Sequence, residues 1–524
     1  MSDAGGGRSA FVVGAGILIS RVVGLLRQTA FAYYFGAGPA ADAYGAAFKI
    51  PNAVRNLLGE GTLSAAFVPI YSRLLSRDDP RAARALSNAV LGLLLAATSI
   101  LTLVGILAAP LLTRVLAAGF DDTTRELTTR LTRVMFPMTG LMVLSGWCLG
   151  IQNSHRRFFW SYASAAIWSL AQIALLLVGG PRAVDTATLS YWLAWATLGG
   201  AVLQIGAQAP EVLRLAGPLR PTLDRAAEGV MPMLRNVLPV VTALGVVQIS
   251  SFVDLYIASF LPTGAVANIG YANTLALLPV SLFGVSVAAA ALPDLSRDSG
   301  AMAMDALLEK VRSGWQRILF YIVPSAVAFI ALGDYCVGML YRAGRFGVAE
   351  QTSVHWVLAA YAIGLVSFGS VKLLGSAYYA MQDYRTPLRA SITSIAVSVI
   401  VSVSVAVPLR SLSVAAAGIA LGSAVGSYVN LAILARGLQR RLGALYTATM
   451  WRGTRRIALA ALVAAVVGTL LRYVQYRWFP TVHPRLAGIP VLGAFGATYL
   501  LVAWATGSAE AARWLRRPVR RVGS

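Results

Sequence analysis

The chain has 524 residues, 57% of them apolar and 12% charged, with a mean hydropathy of +0.68. A soluble domain carries about 25% charged residues, so half that fraction excludes an ordinary water-soluble globule and points to lipid as the solvent. The formal charge of +23 sits mostly in short loops between apolar runs, which suits anionic phospholipid headgroups at a cytoplasmic surface and speaks against nucleic acid as the partner.

Backbone groups inside a bilayer must be satisfied within their own segment, and about 20 apolar residues cross its core as a helix. Runs bounded by Pro, Gly and charge therefore predict an all-α polytopic membrane protein of about fourteen transmembrane helices. They begin near Ala10, Tyr44, Ala85, Glu126, Phe158, Leu189, Asn236, Ala265, Leu307, Val354, Leu388, Ser413, Ile457 and Ile489. Residues Met1 to Arg8 lack the charged start and cleavage site of a signal peptide, so the first run is expected to be retained as a helix. The second run contains Lys49, Pro51, Arg55 and Glu60 and is the weakest by hydropathy alone. Counting Lys and Arg in alternate loops gives 28 on the side of the N-terminus and 11 on the other. That bias predicts a multi-pass protein with both termini cytoplasmic.

The chain also repeats itself. Pro69-Ile70-Tyr71-Ser72-Arg73 is matched by Pro293-Asp294-Leu295-Ser296-Arg297, and Gln152-Asn153 by Gln382-Asp383. A six-helix offset preserves orientation, so two six-helix lobes in parallel repeat are expected, followed by two extra helices. The expected divisions are residues 1–215, 216–445 and 446–524. Two such lobes rocking about a central site would give alternating access.

No catalytic constellation is present. Cys148 and Cys336 lie in apolar stretches and read as small buried hydrophobes, while His155, His355 and His483 are scattered without metal-ligand spacing. The informative residues are five cations that the loops do not account for: Arg21, Arg27, Lys49, Arg55 and Lys372. Arg21 lies eleven residues into the first run, roughly 16 Å deep, and a charge there costs about 2.5–3.5 kcal/mol and usually faces a wet cavity. Four of the five fall in the first two runs, where only Asp42 and Glu60 are available as partners. The surplus suits an anion held by guanidinium forks; structural pairing or snorkelling is the competing reading. Gly36, Gly45, Pro51, Gly59 and Gly61 suit either broken helices lining a cavity or close helix packing. Lys372 extends the polar lining from the second lobe. Asp254, after Gln248, Ser250 and Ser251, reads either as a coupling-ion ligand or as the acceptor of an interhelical hydrogen bond.

At these residues a family resemblance emerges. Ser20-Arg21-Val22-Val23-Gly24-Leu25-Leu26-Arg27, Gly36-Ala37-Gly38, Asp42-Ala43, Ala47-Phe48-Lys49-Ile50-Pro51-Asn52, Arg55, Glu60-Gly61 and Ala66-Phe67-Val68-Pro69 resemble the MurJ (MviN) family of lipid II flippases. Asp254 with Ala258-Ser259-Phe260-Leu261, Gly344-Arg345-Phe346, Tyr378-Tyr379, Gln382-Asp383 and Thr386-Pro387 resemble its second lobe. The resemblance implies the multidrug/oligosaccharidyl-lipid/polysaccharide exporter superfamily, a monomeric transporter and not an enzyme. It also implies lipid II (undecaprenyl-pyrophosphate disaccharide pentapeptide) as the substrate, in peptidoglycan biosynthesis. It makes Arg21, Arg27 and Arg55 the cavity cations for the pyrophosphate, with Asp42 and Glu60 as their gating partners and Lys49, Thr274 and Lys372 as further lining. No organic cofactor is implied; the drive is either membrane potential or a sodium ion, for which Asp254 is the one ligand carried over. The family's Tyr-Ala-Asp-Arg appears here as Tyr271-Ala272-Asn273-Thr274, losing one cation and one anion together. Two other readings share the architecture. A drug exporter would want intramembrane acids in excess, and a flippase for another polyprenyl-pyrophosphate glycan would look the same at the pyrophosphate. A scaffold for cell-wall enzymes would need no buried cations.

Overall fold

A computed structural model of the chain describes residues 3–77, 79–284, 301–479, 482, 484–508 and 510–512. The regular elements among them are all helical. They are α1 (Asp3–Phe35), α2 (Pro39–Leu58), α3 (Glu60–Ala66), α4 (Val68–Ser76), α5 (Pro80–Leu116), α6 (Asp122–Ser154), α7 (Phe158–Gly179), α8 (Thr186–Ala216) and α9 (Val230–Ser259). There follow α10 (Ala265–Pro279) with a π-helical turn Val280–Gly284, α11 (Ala301–Ala331), α12 (Gly333–Tyr341), α13 (Val348–Ala380), α14 (Arg385–Ala406), α15 (Ala416–Leu442), α16 (Ala448–Trp478) and α17 (Pro484–Ala505). Nine of these, α5, α6, α10, α11 and α13–α17, are long and apolar enough to cross a bilayer among the described residues. Helices α1, α2, α7, α8 and α9 stand where the remaining expected runs begin.

Local chemistry sets the ends. Asp79, Asp121 and Asp185 accept the backbone N–H of Ala82, Thr124 and Thr188 at the starts of α5, α6 and α8, giving orphan donors a partner. The second expected run does not continue as one helix: it breaks at Gly59 and again at Phe67. Gly59 shows why. A Cβ there would lie 2.5 Å from the Arg55 carbonyl oxygen, so only glycine permits this turn.

The chain divides into two compact units, Met1–Ala267 and Asn268–Ser524. In the first, α6 is the centre: 78% of its apolar window is buried, against 28% for α5. Helices α2, α5, α7 and α8 pack around α6, and α9 lies on α2, α3 and α5. The outer face of α5 shows Ile100, Leu103, Leu107 and Leu111, an apolar surface that suits acyl chains. In the second unit α13 is the centre, with 67% of its window buried against 17% for α14. The α16–α17 hairpin packs on α11 and α12, and the Tyr499 hydroxyl donates to the Phe320 carbonyl at 2.6 Å.

The repeat is visible in the helix lengths. Helix α6 runs from 122 to 154 and α13 from 348 to 380, both 33 residues and shifted by 226. Helices α7 and α14 both have 22 residues. Helices α8 and α15 end at Gly217 (φ 77°, ψ −165°) and Gly443 (φ 90°, ψ −167°), the same shift. At the ends of α6 and α13, Arg156 (φ 58°) and Gln382 (φ 57°) both turn left-handed. Arg157 N–H then donates to the Gln152 carbonyl, and Asp383 N–H to the Tyr378 carbonyl. Gln152 is thus the counterpart of Tyr378, so the sequence match of Gln152-Asn153 to Gln382-Asp383 is out of register by four. Pro293 to Arg297 of the other match lie outside the described residues.

Candidate functional site

Within the first unit the structure gives each predicted residue a definite setting. Arg27, on the last third of α1, is half-buried. Its Nη1 donates to Gln172 Oε1 at 3.3 Å, and its guanidinium lies over the Trp168 ring, 4.9 Å from the centroid. Gln172 is 1% exposed and also accepts from the Tyr44 hydroxyl at 3.3 Å. That hydroxyl pairs with Thr197 Oγ1 at 2.8 Å, and Trp168 Nε1 donates to the Thr197 carbonyl at 3.0 Å. Three helices, α2, α7 and α8, thereby fix one guanidinium, and cation–π contact adds to the hold. Sequence reading missed Gln172, Tyr44, Trp168 and Thr197. The available signal was Gln172, a lone amide inside the apolar run Ala163–Gly179.

Helix α2 carries three more of the residues. Lys49 and Asp254, on α2 and α9, are close enough to act on each other's charge. Phe48 stacks between Tyr44 and Trp168. Thr139 Oγ1 donates to the carbonyl of Pro51 at 3.2 Å, a proline inside α2 that removes one of the helix's N–H donors. Arg55 lies in the last turn, half-buried, with Nη2 3.4 Å from Asn56 Oδ1. It stands eleven residues past Tyr44, roughly 16 Å along the helix. Arg27, beside Tyr44's partner Gln172, and Arg55 are therefore set apart along α2. Arg21 is exposed on α1 and forms no ion pair among the described residues.

Asp42 differs from expectation. Asp42 is buried, and its two oxygens accept the N–H groups of Gly264 at 2.6 Å and Ala267 at 2.8 Å. It caps the start of α10, where aligned backbone dipoles favour a carboxylate, in place of the arginine pairing expected from the sequence. The Glu60 side chain lies outside the described residues. Asp254 lies near enough to Lys49 to feel its charge. Among the described residues no three His, Cys, Asp or Glu side chains gather as a metal site. Thr274 and Lys372 belong to the second unit. Thr274 Oγ1 donates to the Gly270 carbonyl of its own helix at 2.9 Å, and Lys372 is exposed on α13.

The model of the family described as lipid II flippase MurJ matches residues 31–487. The chain belongs to the lipid II flippase MurJ family. A probable lipid II flippase MurJ of Rhizobium tropici is 31% identical over 519 residues, covering 97% of this chain and 96% of the relative. The lipid II flippase MurJ of Burkholderia cenocepacia is 33% identical over 446 residues, covering 83% and 84%. A solved MurJ structure in an inward closed conformation matches with a TM-score of 0.75 at 22% identity, over 97% of this chain and all of that one. An inward-facing multidrug resistance MATE transporter of the MOP superfamily matches with a TM-score of 0.65 at 18% identity, over 83% of this chain and 98% of that one. The fold is that of these solved structures, and membership of the flippase family makes the chain a transporter, not an enzyme. The arginine-bearing helices α1 and α2 are where this MurJ family member concentrates its intramembrane cations.

Proposed function

We propose that this chain flips lipid II from the cytoplasmic to the outer leaflet of the bacterial inner membrane by alternating access, with Arg21, Arg27 and Arg55 taking the pyrophosphate. The observation that carries the site assignment is the setting of Arg27: a guanidinium held by Gln172 and Trp168 is preorganised to meet an anion. The roughly 16 Å step along α2 from Tyr44 to Arg55 supports a hand-over between cations as the headgroup moves. The equal closures at Gly217 and Gly443 support a division into lobes 1–215 and 216–445, with 446–524 as two extra helices and a basic tail. The protein acts as a monomer, with both termini in the cytoplasm and its basic loops on anionic headgroups. Membrane potential drives the cycle, supplying roughly 2.3 kcal/mol per charge per 100 mV.

The test is depletion of the native protein with complementation by variants at matched abundance, measuring lipid II in the cytoplasmic leaflet. Arg27→Ala is expected to abolish export. Gln172→Leu should lower it about tenfold, the effect of one lost hydrogen bond to a charged group. Asp42→Asn should retain only part of the export, since its one amide oxygen can accept from one of the two N–H groups while its NH2 opposes the other, and Asp42→Ala should retain less still. Normal export by Arg21→Ala, Arg27→Ala and Arg55→Ala alike would remove the pyrophosphate assignment.

A further inference from the structure

The second unit contains a recess of about 960 Å³ where the end of α16 meets the starts of α13 and α17 and helix α12. Its polar floor is already partly wired. Arg472 pairs with Asp334 at 3.1 Å, Arg342 Nη1 donates to Gln351 Oε1 at 3.0 Å, and Gln351 Nε2 donates to the Asp334 carbonyl at 2.7 Å. One carboxylate against two guanidiniums leaves a single positive charge. Beside it, Gln475 Oε1 is buried with no hydrogen-bond donor among the described residues. A buried acceptor without a donor is destabilising, so this recess asks for a ligand that brings an anion and a donor together.

The surroundings say where that ligand comes from. Tyr473, Tyr476 and Phe479 line the recess and are 69%, 79% and 60% exposed. Exposed aromatic rings at the end of a membrane-spanning helix mark the headgroup level. Leu470, Leu486 and Ile489 on the same two helices are open as well, an apolar surface along which acyl chains can lie. A soluble sugar would leave that surface uncovered, and a purely anionic headgroup would leave Gln475 without its donor.

We propose that this recess binds the headgroup of a glycerophospholipid carrying a primary ammonium, with its phosphate on Arg342 and its ammonium against Gln475 Oε1 and the tyrosine rings. The ammonium gains from those ring faces as well as from the amide oxygen. The site lies wholly within the second unit and does not depend on the assignment of the arginines of α1 and α2.

The full-length protein, purified in detergent and stripped of lipid, is titrated in native mass spectrometry with dioleoyl-phosphatidylethanolamine, -phosphatidylcholine and -phosphatidylglycerol. The ethanolamine lipid is expected to bind about tenfold more tightly than choline lipid, whose quaternary ammonium has no N–H. Gln475→Leu should erase that difference, and Arg342→Gln should weaken both lipids about tenfold. Equal binding of the ethanolamine and choline lipids by the unaltered protein would overturn the proposal without any variant. Displacement of the lipid by soluble N-acetylglucosaminyl-N-acetylmuramic acid would overturn it in favour of a sugar site.

Discussion

Helices α6 and α7 of the first unit match α13 and α14 of the second in length, and α8 and α15 match in end geometry, yet the two sets are cemented by different means. In the first unit a buried polar ladder joins three helices. Gln204 Nε2 donates to Ser145 Oγ at 2.8 Å, Ser145 Oγ to Gln208 Oε1 at 2.9 Å, and Gln208 Nε2 to Ser164 Oγ at 2.8 Å. At the shift of 226 the counterparts of Ser145, Ser164 and Gln208 are Val371, Ala390 and Leu434. The second unit instead brings backbones together: Gly418, Gly422 and Gly426 of α15 face Ala406, Ser402, Ser398 and Ser394 of α14. Small residues at such a spacing replace hydrogen bonds by close van der Waals contact. One framework thus tolerates two kinds of glue, and the polar kind sits in the unit that also holds Arg27.

Substitutions that exchange the glue test this contrast. Gly422→Leu should have the largest effect, because a Cβ there would lie 2.1 Å from Ser402 Oγ and 2.6 Å from the Ser398 carbonyl. Overpacking of this kind costs about 3 kcal/mol or more, read as loss of monodisperse protein in detergent. Gln208→Leu, which copies the second unit into the first, strands Ser164 and half of Ser145; about 1–3 kcal/mol should be lost, seen as a lower thermal midpoint. Removing the rest of the ladder with Ser145→Val, Ser164→Ala and Gln204→Leu should recover most of it, since removing all the partners is far cheaper than removing one.

The smallest effect is expected at the corner after α13. There Asp383 accepts from the Thr386 backbone N–H and hydroxyl and pairs with Arg441 at 2.8 Å. The Thr386 N–H and hydroxyl hold the Asp383 carboxyl down at about 2. Because the folded value is depressed, its stabilisation is full above the ordinary carboxylate range and is lost as pH falls from about 4 through about 2. Arg441→Leu should shift the thermal midpoint slightly, in line with a partly exposed pair worth about 0–1 kcal/mol. Asp383→Ala should remove the low-pH dependence at this corner, measured between pH 6 and pH 3.

Much of this was legible before any coordinates. Apolar runs located the long helices, because lipid leaves the backbone no other way to satisfy itself. The cations of α1 and α2 stood out because their cost demands a reason. What resisted was anything decided by register or by a distant chain segment. The repeat was visible, but its register was set by two left-handed residues, Arg156 and Gln382, whose identities do not advertise that conformation. Asp42 looked like a partner for nearby arginines, yet the N–H groups that take it belong to residues 264 and 267.

The sequence by itself determined the solvent, the helical class, the family and which charges are anomalous, since these depend on composition and short-range pattern. Only the tertiary structure decided what each anomalous charge faces. A guanidinium's meaning depends on whether Gln172 and Trp168, some 140 positions away, are brought beside it, and a carboxylate's on whether a helix start or a lysine lies opposite. Electrostatic energy depends on distance in space and on burial, and neither is written along the chain.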